Sequence, residues 1–171
     1  TMVGNLSAHK PGWDARWEEF STWAEKGHAI MVKLLALVDE DTAAFNKIMA
    51  AFGLPKGTPE EKAARSAAIQ AATLYATQVP LRTMKASFEV FDVVRAMAVD
   101  GNPNSVSDAG VGALAAWSAV QGAWLNVKIN AAGLKDRRIA EEILAEATEI
   151  AAAATIQREE IITIVDTIIN Q

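Results

Sequence analysis

The chain has no cysteine and only two histidines, His9 and His28, among its 171 residues. Without Cys there is no disulfide framework, thiolate zinc site, iron–sulfur cluster or cysteine nucleophile. Two histidines are too few for a histidine-based metal cage, so no metal is expected. Positive charge is also in deficit. Sixteen Lys and Arg stand against 21 Asp and Glu, a net charge of −5 with a pI near 5.1. That balance argues against a general affinity for nucleic-acid phosphate. No basic start followed by an apolar run and a cleavage site opens the chain, so a signal peptide is not expected and a cytoplasmic location is.

What remains is apolar (51%) and moderately charged (22%), enough for one core and one domain over residues 1–171. The stretch from Ala109 to Val127 carries no charge and is about as long as a membrane span. Gly110, Gly112, Gly122, Ser118, Gln121 and Asn126 dilute it, which suits a buried central helix better than lipid. Alanine-rich, helix-forming sequence dominates and strand-like alternation is nearly absent. Lys10-Pro11-Gly12, Gly53–Gly57 and Gly101–Asn104 act as breakers between helices. Thr58-Pro59-Glu60-Glu61 reads as a capping box with Pro at the first helical position. Helices are expected over about 14–52 (with a break near Lys26-Gly27), 58–98 (kinked at Pro80), 105–132 and 136–169, after a short first segment. The fold class is all-α, a bundle of about five helices.

Three features break the pattern. Leu34, Val38, Asp41, Phe45, Ile48 and Phe52 alternate at spacings of four and three, which predicts a core stripe with Asp41 in the middle. A carboxylate there is either a hydrogen-bonded structural group or a general acid/base whose pKa burial has raised. The second feature is the run Gly101–Asp108. Ser105 with Asp108 reads as a weak capping box, yet Asn102, Asn104 and Ser107 crowd the same helix start, where donors can seat an anion or polar heterocycle. Third, Asp108, Gly112, Ala116, Ala119, Ala123, Asn126 and Asn130 share one helix face. Small residues mean close packing, whereas the two amides four apart suggest a polar pocket floor. Lys10 and Lys56 lie in loops, where they are either solvated or able to reach an anionic group.

Five segments together resemble the formiminotransferase-cyclodeaminase family, specifically its cyclodeaminase domain and the stand-alone cyclodeaminase/cyclohydrolase proteins. They are Leu37–Phe45, Leu54–Glu61, Val79-Pro80-Leu81, Gly101–Asp108 and Asn126–Asn130, in the family's order and spacing. The family also carries a Pro-Gly-Gly-Gly-Ser segment on its first helix that this sequence lacks, and Thr1 falls just after its place. The resemblance therefore implies a first helix that begins earlier and a domain that belongs to a longer, bifunctional chain.

The resemblance implies a helical domain that dimerises through helix packing, with a folate site in a cleft near the subunit interface. It implies closure of 5-formiminotetrahydrofolate to 5,10-methenyltetrahydrofolate with release of ammonia, with no cofactor beyond the folate substrate. Asp41 matches the second Asp of the family's Val-Asp-x-Asp motif and would carry the proton. Asn102, Ser107, Asp108, Asn126 and Asn130 match polar pocket positions that would hold the pterin. Lys10 and Lys56 would meet the glutamate tail of a folate, polyglutamylated or not. A fused or associated glutamate formiminotransferase is the implied partner. Two alternatives stay open: 5,10-methenyltetrahydrofolate cyclohydrolase, and a non-catalytic helical interaction module in which Asp41 is only structural.

Overall fold

A computed structural model describes all residues, 1–171. The chain folds into α1 (Met2–Ala8), α2 (Trp17–Phe52), α3 (Pro59–Val99), α4 (Val106–Ala131) and α5 (Arg137–Ile169), with short 3₁₀ turns at Asp14–Arg16 and Pro103–Ser105. The all-α expectation holds, and so do the helix boundaries to within a few residues. The Thr58 capping box forms as read: Glu61 N–H donates to Thr58 Oγ1 and Thr58 N–H to Glu61 Oε2. Asp136 caps α5 by accepting from Ile139 N–H. Two expectations fail locally. The helix runs unbroken through Lys26-Gly27, and Ser105 makes no side-chain cap because Asn102 instead holds the turn by accepting from Asn104 N–H. Gly101 is required in that turn: a Cβ there would lie 2.4 Å from the Met97 carbonyl oxygen.

The α2–α3 pair has a seven-residue period. Ile30, Leu37, Ala44 and Ala51 are buried on α2, and Ala72, Val79, Ala86 and Val93 on α3. A strict seven-residue repeat on two antiparallel helices is the pattern of a coiled coil, here closed mainly by alanine. The expected stripe is therefore half correct. Leu34, Asp41 and Ile48 do sit at seam positions, but Val38, Phe45 and Phe52 are exposed, and Leu37 with the small Ala44 and Ala51 take the buried places. Close helix packing selects small side chains, while a hydrophobicity pattern weights large ones.

The larger core lies where α3, α4 and α5 meet, around Met84, Phe91, Val120, Val127 and Ile161, and takes in Phe20 from the start of α2, each 1% exposed or less. Burying one such side chain contributes about 1.5–3 kcal/mol. Gln70 on α3 clamps the α4–α5 turn: its amide donates to Gly133 O and its carbonyl accepts from Lys135 N–H. Trp13 and Trp23 pack against this core, Trp13 stacked on Phe20 at 5.4 Å, whereas Trp17 is exposed. α4 is not buried all round as its uncharged run suggests. Ala109, Ala113, Ala116, Val120 and Val127 face the core, whereas Val111, Leu125 and Ile129 are more than 60% exposed. No helix is long and apolar enough to cross a membrane.

Candidate active site

α2 and α4 both lie on α3 and leave a cleft between them, above Pro80. A hollow of about 380 Å³ is lined by Leu37, Asp41, Pro80, Thr83, Ala123 and Asn126 among others. A second, of about 150 Å³, adjoins it and shares Asp41 and Asn126, adding Ala76 and Asn130. The larger is of the size that small-molecule sites occupy, roughly 300–1,000 Å³. The cleft exists because the residues facing Asp41 are small: Ala76 on α3, and Ala119 and Ala123 on α4.

Asp41 is the only charged side chain lining either hollow. It forms no ion pair and accepts no hydrogen bond from the protein. The expectation of a buried, desolvated Asp41 is corrected here, since within one chain the small residues opposite leave it exposed. Its sequence neighbour behaves in the opposite way. Glu40 points to the other flank of the α2–α3 seam, where its Oε1 accepts from Tyr75 OH and from Arg82 Nη2, both at 2.6 Å. The Tyr75 hydroxyl, and then the Arg82 guanidinium, hold the Glu40 carboxyl below the usual carboxylate range. The same contact with Glu40 raises the Tyr75 phenol and the Arg82 guanidinium. Lys33–Glu89 and the stack of Lys47 on Tyr75 continue this flank at seven-residue steps.

Two amides complete the cleft. Asn130 Nδ2 donates to the carbonyl of Ala76 at 2.7 Å. Pro80, four residues on, has no N–H to give that carbonyl, and Ala76 is 5% exposed. Left unpaired, such a buried acceptor would cost about 1–3 kcal/mol. Asn126 Nδ2 makes only a long contact, 3.5 Å, with Gly122 O. Asn126 is thus free to serve a ligand.

The remaining expected site residues lie elsewhere in the chain. Asp108 is 18 positions before Asn126 on the same helix, about 27 Å away at 1.5 Å per residue. Ser107 and Asp108 are exposed, and Asn102 N–H donates to Ser7 Oγ at the α1 end of the bundle. Lys10 is at that end too, its Nζ 3.9 Å from the Trp13 ring centre. Lys56 is exposed in the α2–α3 turn at the opposite end of the 36-residue α2, which is about 54 Å long. A shared helix face fixes direction around the axis but says nothing of distance along it. Within one chain the structure brings together Asp41, Asn126 and Asn130, and not the other five. Thr83, which lines the cleft, goes unmarked in the sequence, and Pro80 reads there as a kink and as part of the Val79-Pro80-Leu81 segment, with no sign that it lines the cleft. Thr83 lies one turn beyond Pro80 on the same face, and that spacing was the available signal.

The family profile for formiminotransferase-cyclodeaminase matches residues 1–149. The chain belongs to this family. It is 40% identical over 170 residues to a methenyltetrahydrofolate cyclohydrolase of Methylorubrum extorquens, covering 99% of this chain and 82% of that protein. It is 32% identical over 136 residues to the formimidoyltransferase-cyclodeaminase of Rattus norvegicus, covering 80% of this chain but only 25% of the rat protein. The crystal structure of formiminotetrahydrofolate cyclodeaminase from Thermotoga maritima shares the fold, with a TM-score of 0.83 at 24% identity over 98% of this chain and 80% of that one.

Proposed function

We propose that the chain binds a tetrahydrofolate derivative in the Asp41 cleft and hydrolyses 5,10-methenyltetrahydrofolate to 10-formyltetrahydrofolate. The observation that carries this reading is the 40% identity to a cyclohydrolase along nearly the whole chain. The chemistry of the cleft supports it. The methenyl substrate is a cation, with its charge spread over the N5–C–N10 unit. A single unpaired carboxylate in a cleft with no competing Lys or Arg suits that charge.

In this reading Asp41 takes a proton from water as its oxygen attacks the methenyl carbon, giving a neutral tetrahedral centre. The C–N5 bond then breaks and N5 receives the proton from Asp41. The hydroxyl proton passes to solvent as the formyl C=O forms on N10, so one proton is released overall. Asn126 and Asn130 hold the pterin. No cofactor beyond the folate substrate takes part.

The cyclodeaminase reaction passes through a similar tetrahedral centre, reached when N10 attacks the formimino carbon and resolved when ammonia leaves. The similarity to the rat protein favours it as the second reading, but at lower identity and over less of the chain. That reading would require a glutamate formiminotransferase to supply its substrate.

We also propose that the working unit is a homodimer. Val38 and Phe45 on α2 and Leu125 and Ile129 on α4 flank the cleft with exposed apolar surface, each more than 60% exposed. A second copy covering them would desolvate Asp41, and could bring its own Asn102, Ser107, Asp108, Lys10 or Lys56 to the ligand. The test follows methenyltetrahydrofolate absorbance. Accelerated decay of added methenyl compound supports the cyclohydrolase. Its formation from the formimino substrate with ammonia supports the second reading, and neither change would leave a non-catalytic interaction module.

A further inference from the structure

We infer that Pro80 is a positioning residue that fixes the orientation of the Asn130 amide, so that Asn130 presents only its oxygen to the ligand. Only the amide's NH2 end can meet the Ala76 carbonyl, and it does so at 2.7 Å. That carbonyl is free because Pro80 lacks the N–H that would otherwise close the helical turn onto it. Ala76 is 5% exposed, and the Asn130 amide is the side-chain donor that reaches its carbonyl. Asn130 Oδ1 has no partner within the protein, and Asn130 lines the same hollow as Asp41 and Asn126. An asparagine in solution offers a donor or an acceptor with equal ease, and a flip of its amide exchanges them. The proline removes that choice, and the cleft then selects a ligand with an N–H at this point.

Resting on the proposed folate reading, the ligand group is an N–H of the tetrahydropterin ring. A ring oxygen or an unprotonated ring nitrogen placed there would face Oδ1 lone pair to lone pair. The device also explains why an interior proline is tolerated in the 41-residue α3. The lost backbone bond is replaced by one from the neighbouring helix.

The experiment is a double-mutant cycle with Pro80→Ala, Asn130→Asp and the pair, read in two ways. In the first, side-chain amide NMR of the ligand-free protein follows the Asn130 NH2 signal. The wild type is expected to show one slowly exchanging amide proton, and Pro80→Ala to lose that protection, since the restored residue-80 N–H takes over the Ala76 carbonyl. The second readout is methenyltetrahydrofolate hydrolysis. Asn130→Asp is expected to raise KM by about tenfold with a smaller change in kcat, because a carboxylate cannot donate to Ala76 and turns away. In the Pro80→Ala background the same substitution is expected to cost about threefold or less. Equal costs in both backgrounds, or an Asn130 amide unchanged by Pro80→Ala, overturn the inference. If the wild type turns over neither the methenyl nor the formimino compound, the folate reading fails, and the NMR comparison still decides on the lock.

Discussion

Glu40 and Asp41 are adjacent acids on one helix with opposite surroundings. Glu40 lies on the flank of the α2–α3 seam where charges recur every seven residues and each meets a partner across the pair. Asp41 lies on the flank facing α4, where alanines and the neutral amides Asn126 and Asn130 line the cleft with it and no opposite charge answers its own. A rotation of about 100° around the helix separates a carboxylate that joins two helices from one with no partner in the chain. The lesson is that an unanswered charge in a concave place is more informative than charge itself. A structural acid such as Glu40 is recognised by its partners, and the proposal for Asp41 starts from its lack of them.

The comparison can be broken at several points. The largest effect is expected at Asp41. Asp41→Asn should lower kcat/KM for methenyltetrahydrofolate by about 10²–10⁴-fold, the range of general acid–base catalysis, while the thermal midpoint stays at the wild-type value. Next comes the seam from which both flanks hang. Leu37 is 7% exposed at its centre, and Leu37→Ala should cost about 2–5 kcal/mol in denaturant unfolding.

A smaller effect should follow Glu40→Gln, which strips Arg82 and Tyr75 of their anion. Its unfolding midpoint should fall below wild type, with kcat/KM within about threefold of it. The least is expected from pH. Glu40 is held below its ordinary value, so its contribution to stability is complete above the unfolded carboxyl pKa of about 4.3. That contribution should disappear as pH falls through the lower folded value. An acid titration of stability should therefore drop less steeply in Glu40→Gln than in wild type.

Much of the fold was legible because local signals decide helices. The Thr58-Pro59-Glu60-Glu61 start and the Gly101 turn can be read without any partner. The seam was displaced by one residue because Val38, Phe45 and Phe52 outweigh Ala44 and Ala51 on any hydrophobic scale, yet close packing admits the alanines. Asp41, Asn126 and Asn130, which line one cleft, stand out in sequence because each is a polar residue among small or apolar ones on a helix face. Asn102, Ser107, Asp108, Lys10 and Lys56 lie away from that cleft within one chain, a separation that sequence could not show, since pattern gives direction around a helix and no tertiary distance. The role of Pro80 was hidden for a related reason. Its missing N–H is evident in the sequence, but the amide that answers it comes from a residue 50 positions later, Asn130.

The central claim is that Asp41, and not its neighbour, carries the proton in turnover. The most direct measurement is the decay of methenyltetrahydrofolate absorbance with Asp41→Asn and Glu40→Gln compared at equal concentrations of folded protein. The account predicts that the Asp41 variant is slower than the Glu40 variant by about 100-fold or more. Equal rates, or a slower Glu40 variant, would contradict it.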